Sequence, residues 1–286
     1  MNRSSHKTIW VVTGVFVLTA CVVLLIRSLP LGAGDKPGTQ DFAIQERDRQ
    51  IVEMEELLET DWRIRRTRTR DVVDSVSQYA QHPTLGSAEA FFALGLVRMY
   101  KLYDPEGAEK ALRSAIERDP EWSWSHDLLG VVLYSNGNHE GGLEFLEHAM
   151  ALDPEWSRPH SDLAILFRLD EEWDLALEHA HIAIDMDPDH PIPYYNYGVI
   201  LYKMGRHSEA QKQFEHVLEL NSDLPAPYYN IACGFARSGQ LAEALEYLAI
   251  AIELDPAFYE ETLSDPDFDT VRSDPLLVEF LDKHHP

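Results

Sequence analysis

The chain has 286 residues, 45% of them hydrophobic, with two cysteines and a formal net charge of −25. That length and apolar content suffice for a large core, and two cysteines exclude a small disulfide-stapled domain. Residues 83–286 carry thirteen basic and thirty-eight acidic groups, so this stretch holds the whole net charge; it repels phosphate, and nucleic acid is not an expected partner.

From the N-terminus, residues 9–26 (IWVVTGVFVLTACVVLLI) form an uncharged run between Arg3 and Lys7 on one side and Arg27 on the other. At ~1.5 Å per residue a helix of that length reaches ~27 Å, close to the ~30 Å hydrocarbon core of a bilayer. Residues 1–27 are therefore expected to be a single-pass anchor, with the membrane contacted through 9–26. A cleaved leader fits less well, because the apolar run continues past the one small-residue site. Leu18-Thr19-Ala20-Cys21 resembles a lipobox, but Val22 to Ile26 follow where a lipoprotein has polar residues. Lysine and arginine nearly tie across the span, and the free amino terminus tips the expected orientation. This places the chain in a bacterial inner membrane with its C-terminal part in the periplasm.

Residues 28–41, beginning SLPLGAGDKPGT, have the Gly and Pro content of a flexible linker. Residues 42–87 carry helically spaced apolar positions, Ile44, Ile51, Met54, Leu58, Val72, Val73 and Val76, and are expected to form a helical N-terminal cap. Ile44, Ile51 and Leu58 give too few heptads for a coiled coil. Arg63, Arg65, Arg66, Arg68 and Arg70 follow an acidic run from Glu53 to Asp61, which suits a solvated helix face better than a phosphate site.

From residue 88 onward the dominant feature is periodicity. Gly130, Ala164, Gly198 and Ala232 lie 34 apart, as do Ala108, Gly142, Ala176, Ala210 and Ala244, and likewise Ala115, Ala149, Ala183, Val217 and Ala251. Pro120, Pro154, Pro188 and Pro256 recur in one phase, with Ser222 at the remaining place. Small residues are needed where two antiparallel helices approach closely, and larger apolar residues between them, such as Leu129, Leu146, Leu163, Phe214 and Leu248, supply the core. One such pair cannot bury its apolar face alone, whereas stacked pairs can.

The pattern resembles the tetratricopeptide repeat, best in PYYNYGVILYKMGRHSEAQKQFEHVLEL at 193–220 and PYYNIACGFARSGQLAEALEYLAIAIELDP at 227–256. The resemblance implies an all-α solenoid of helical hairpins, a right-handed superhelix, with five units over 88–256. Their boundaries are about 88–122, 123–156, 157–190, 191–224 and 225–256. The first unit has one inserted residue between Gly95 and Ala108. Residues 257–286 are expected to cap the array, with Phe268, Val271, Leu276, Leu277, Phe280 and Leu281 covering the end of the core.

In this family the first helix of each pair lines a concave groove, so the resemblance points to its outward positions as a partner-binding site. Here they are Trp124, Asp127 and Tyr134; Arg158 and Arg168; Tyr195, Asn196, Tyr202 and Lys203; and Tyr229, Asn230 and Arg237. Aromatics suit apolar contact, amides suit a peptide backbone, and cations suit carboxylates. Four of the six basic residues between 121 and 256 lie on first helices, which makes this face less negative than the other.

No phosphate loop, nucleophile elbow or HExxH motif is present, so no catalysis and no cofactor are expected. His126 and His160 are equivalent by period, and Tyr194 and Tyr228 continue that phase, which indicates packing and not a metal site. The expected function is a membrane-anchored scaffold that recruits a protein or peptide partner. Two alternatives remain at the level of sequence: a regulatory or substrate-presenting subunit of a separate enzyme, and a scaffold that self-assembles as a homo-oligomer.

Overall fold

Residues 88–100 and 103–284 are described by a computed structural model in which the 34-residue period becomes a series of helical hairpins. The expected span at 9–26, the linker, the cap at 42–87 and the arginine cluster lie outside the described residues. Among the described residues no helix is long and apolar enough to cross a membrane. The chain divides into two compact units at Pro154 and Glu155.

The first unit contains α1 (Ala88–Tyr100), α2 (Pro105–Arg118), α3 (Ser123–Ser135) and α4 (His139–Leu152), paired as α1 with α2 and α3 with α4. The α1–α2 connection has four residues, against three in α3–α4, which locates the inserted residue in this loop. Asp104 ends the loop by accepting from Gly107 N at 2.9 Å and pairing with Arg98 at 2.7 Å. The α3–α4 pair approaches closely. A Cβ on Gly130 would sit 2.6 Å from Leu146 Cγ and 2.9 Å from the Gly142 carbonyl, so only glycine permits this approach.

The second unit contains α5 (Arg158–Leu169), α6 (Trp173–Met186), α7 (Pro191–Lys203), α8 (His207–Leu220), α9 (Pro225–Arg237) and α10 (Leu241–Leu254), followed by α11 (Ala257–Ser264) and α12 (Pro275–Lys283). A 3-10 turn, Pro266–Phe268, joins the last two helices. The pairs are α5–α6, α7–α8 and α9–α10, with α6 packed on α7 and α8 on α9. Ala164, Ala176, Ala180 and Ile200 form one buried cluster, against which Phe167, Trp173, Leu177, Tyr197 and Met204 pack. Fully buried Phe214, Ile231 and Leu248 extend the core, each contributing about 1.5–3 kcal/mol relative to exposure.

The same backbone solution ends each second helix. Asp119, Asp153, Asp187, Asn221 and Asp255 recur every 34 residues and donate their N–H groups to the carbonyls of Ala115, Ala149, Ala183, Val217 and Ala251. The small residue of each second helix thus also holds the helix end. Each hairpin bend has one residue at positive φ, in strict register: Tyr103 (53°), Gly137 (90°), Glu171 (62°), Gly205 (79°) and Gly239 (76°). At Tyr103 and Glu171 the bend is made at a steric cost that glycine avoids.

Candidate peptide-binding face

The expected site residues divide by unit. In the first unit Trp124, Asp127 and Tyr134 are buried, as Tyr202 and Tyr229 are in the second. Trp124 meets the Phe92 ring edge-on with centroids 6.5 Å apart, and Tyr134 lies parallel to the His139 ring at 4.3 Å. The first contact joins α3 to α1 of the preceding hairpin, and the second lies within the α3–α4 hairpin.

In the second unit the face begins on α5. Arg158 is half-buried and lies 3.5 Å from Asp162 on its own helix. Arg168, at the end of the same helix, is desolvated enough for its pKa to be lowered, with Tyr195 of α7 as the neighbour that offsets this. Tyr195 packs on Phe214 and accepts a hydrogen bond from Asn230 Nδ2 of α9 at 3.0 Å, linking successive first helices. Burial pushes the Tyr195 hydroxyl up to about 12, so it remains a neutral group. Asn196 is buried with its Nδ2 unpaired, and Lys203 is exposed at the end of α7.

The remaining three expected residues are engaged by the chain's own C-terminal segment. Tyr229 donates to Asp265 Oδ2 at 2.9 Å, and Tyr202 donates to Asp267 Oδ2 at 2.7 Å. Arg237 Nη1 binds the other Asp267 oxygen at 2.7 Å. These bonds to ionised acceptors are of the stronger, charge-assisted kind. Two side chains from α9 and one from α7 therefore read two carboxylates spaced by one proline.

Local chemistry shapes the segment that presents those carboxylates. Asp265 Oδ1 accepts from Asp267 N at 2.9 Å, Pro266 opens the turn, and Phe268 is fully buried beside the Tyr229 ring. Arg272 gathers the backbone behind it, donating to the carbonyls of Asp265 at 2.6 Å, Thr262 at 3.2 Å and Leu263. Sequence reasoning assigned this tail only an apolar capping role. Phe268, Val271 and Leu277 are indeed buried, but Leu276 is 56% exposed and points away from the core. The aspartates were missed; the signal available was a D-P-D-F turn in a chain whose first-helix face is its least acidic surface.

Electrostatics around the contact are tight. Burial, with Asp265 and Asp255 nearby, raises Glu261 of α11 to about 7. Cys233 of α9 lies beneath the segment, its thiol 3.8 Å from Asp265 Oδ2, and burial pushes its pKa well up, so it stays protonated and is no nucleophile. Cys233, Asp265 and Asp267 bring three donor atoms within 4.8 Å, enough to consider a cation. The carboxylates already accept from Tyr229, Tyr202 and Arg237, and no histidine joins the set, so these donors serve the peptide contact.

Histidines elsewhere are structural neighbours. His160 Nδ1 and His179 Nδ1 share a hydrogen bond of 2.9 Å across α5 and α6, and burial lowers both pKa values. His181, two residues on, packs instead on Tyr197 of α7. On the second-helix side, Glu215, Glu219, Glu246, Tyr228 and Tyr247 line an open cleft of about 510 Å³.

With that geometry in hand, comparison with known proteins places the fold. Residues 191–224 and 226–258 match two tetratricopeptide repeat models. The described fold is an all-α array of tetratricopeptide-type helical hairpins. Among curated proteins none matches the sequence. Solved structures similar in fold include PilF of Pseudomonas aeruginosa, at 20% identity and TM-score 0.54, covering 69% of this chain and 88% of that one. Another is TTC0263, a thermophilic repeat protein of Thermus thermophilus, at 20% identity and TM-score 0.52, covering 67% of this chain and all of the other. MamA of Desulfovibrio magneticus aligns at 21% identity over 56% of this chain and 89% of its own, with TM-score 0.42.

Proposed function

We propose that the protein is a membrane-anchored scaffold, not an enzyme, which recruits a protein or peptide partner through the first-helix face of its repeats. The observation that carries this reading is the contact just described: side chains of α7 and α9 hold a turn of polypeptide by its carboxylates. Tyr195, Asn196, Lys203 and Asn230 continue that face beside the occupied part, and Arg158 and Arg168 supply cations on α5. The 9–26 span supports attachment to a bilayer, and the linker of about twelve residues would keep partners within ~20–40 Å of it. Placement of the repeats in the periplasm belongs to the same reading and rests on the charges flanking the span.

Cross-linking tests the recruitment. In full-length protein with Cys21→Ser, a cysteine at Lys203 should capture a defined protein from solubilised native membranes. A cysteine replacing Glu253, exposed on α10, should not capture the same protein. Identical adducts from both positions would remove the first-helix face as the site. For the anchor, the full chain should remain in the membrane pellet after alkaline extraction, and deletion of 9–26 should release it.

A further inference from the structure

We propose that the face formed by Tyr202, Tyr229 and Arg237 is a recognition site for acidic peptide segments bearing two carboxylates at i and i+2. In this chain Asp265-Pro266-Asp267 occupies it in cis and holds the place of a partner's segment. The inference rests on the scaffold reading above and adds the chemistry of the ligand.

Three features separate this contact from ordinary capping of a helix array. Capping requires apolar burial, which Phe268, Val271 and Leu277 already provide. The carboxylates add to it a polar contact with complementary partners: Asp267 receives one bond from a tyrosine of α7 and another from an arginine of α9, and Asp265 receives one from a tyrosine of α9. Pro266 between them is exposed, so the segment meets the face through its two acidic side chains and leaves its backbone crest outward. Finally, the region is poised for exchange: Glu261 beside it feels Asp255 and Asp265 as like charges, and Arg237 is itself exposed, so an incoming carboxylate can reach it.

Tethering gives the cis segment a millimolar-range effective concentration, so a partner must either bind tightly or act where the tail is loosened. Free acidic peptide should therefore bind weakly to the intact chain and strongly once the cis contact is cut. Asp267→Ala removes two of its three bonds, those from Tyr202 and Arg237, and leaves Asp265 to cap the turn and receive Tyr229.

The test uses full-length Cys21→Ser protein and a fluorescent peptide with the sequence of residues 263–269, LSDPDFD. Anisotropy should show at least tenfold tighter binding to Asp267→Ala than to the parent. Arg237→Glu added to Asp267→Ala should abolish that gain, and a peptide with asparagine at both central aspartates should bind no better than background. Labelling of Cys233, which lies beneath the segment, should accelerate at least tenfold in Asp267→Ala, and saturating peptide should restore the slow rate by covering the thiol again. Should Asp267→Ala fail to fold, Asp267→Asn, which keeps the size of the side chain, replaces it in both measurements. Cys233 labelling in the variant that saturating peptide does not slow, or equal binding of the asparagine peptide, overturns the proposal. A partner still captured at position 203 under those results leaves the scaffold reading standing and removes only the acidic-ligand chemistry.

Discussion

The first helices α3 and α9 occupy the same phase of the repeat, one in each unit, yet their side chains meet different surroundings. Most of α3 is buried, from Ser123 to Gly130 and again from Val132 to Tyr134, so positions expected to read a ligand are taken up by packing. On α9 Tyr229, in the phase of Asp127, turns its hydroxyl to Asp265, and Arg237 remains exposed to meet Asp267. The period determines where a side chain starts from the backbone. Neighbours remote in sequence determine whether it ends in a core or against the C-terminal turn.

Two glycines sharpen that contrast and give the largest expected effect. Gly130→Ala on α3 should cost about 2–3 kcal/mol, since the new methyl would meet Leu146 and the Gly142 carbonyl with no room to yield. On α9, Gly234→Ala has only Tyr202 Cε2, at 4.0 Å, nearby and should leave stability unchanged or raise it by up to about 1 kcal/mol. Denaturant unfolding of the two variants would break the comparison if they behaved alike.

A smaller effect tests the polar side of α9. Tyr229→Phe removes a donor from a half-buried carboxylate and should destabilise by about 1–2 kcal/mol. The loss should appear as faster hydrogen exchange across α11 and α12, with α5 and α6 unaffected. Uniform acceleration through the second unit would mean that the segment is part of one indivisible core.

Smaller still is the gain expected at the strained bend. Glu171→Gly should stabilise by about 0.5–1 kcal/mol, because the residue sits at φ 62° where three of the four equivalent bends use glycine. Gly205→Glu, made as the reciprocal change, should lose a similar amount. Equal melting temperatures for wild type and both variants would remove the steric account of this register.

Titration separates two sites of the second unit by sign. Glu261 has a raised folded pKa near 7, so the protonated form is favoured in the fold and its contribution fades as pH rises from about 4.5 to 7. Exchange in α11, corrected for intrinsic rate, should therefore quicken over that interval, and Glu261→Gln should flatten the profile. His160 and His179 have lowered folded pKa values, so their contribution is complete above about 6.5 and is lost as pH falls through the folded values. His179→Phe should reduce the sensitivity of the melting temperature to acid; an unchanged slope would exclude the pair as its source.

Much of the hairpin architecture was legible because one residue type answers each local demand. Gly130 and Gly198 mark points where a Cβ would fall within 2.7 Å of the facing helix, and such contacts recur with the period. Aromatic pairs also recur: His126 with Phe145, His160 with His179, and Tyr228 with Tyr247 occupy one pair of phases in three hairpins. The third residue of the bend register, Glu171, was not legible, because glutamate gives no sign of positive φ. Nor was the role of Asp265 and Asp267, which stand among thirty-six other acidic residues in the same stretch.

The sequence by itself determined the helical hairpins, their 34-residue repeat and their close-packing points. These follow from side-chain size at fixed helical spacing, and size is written in the residue. Tertiary structure alone decided which first-helix side chains are buried and which meet the C-terminal turn. Burial, and the pairing of Tyr202 and Arg237 with Asp267, depend on chain segments thirty to sixty-five residues apart arriving at one place. A hydroxyl or guanidinium has the same local propensity whether its partner arrives or not.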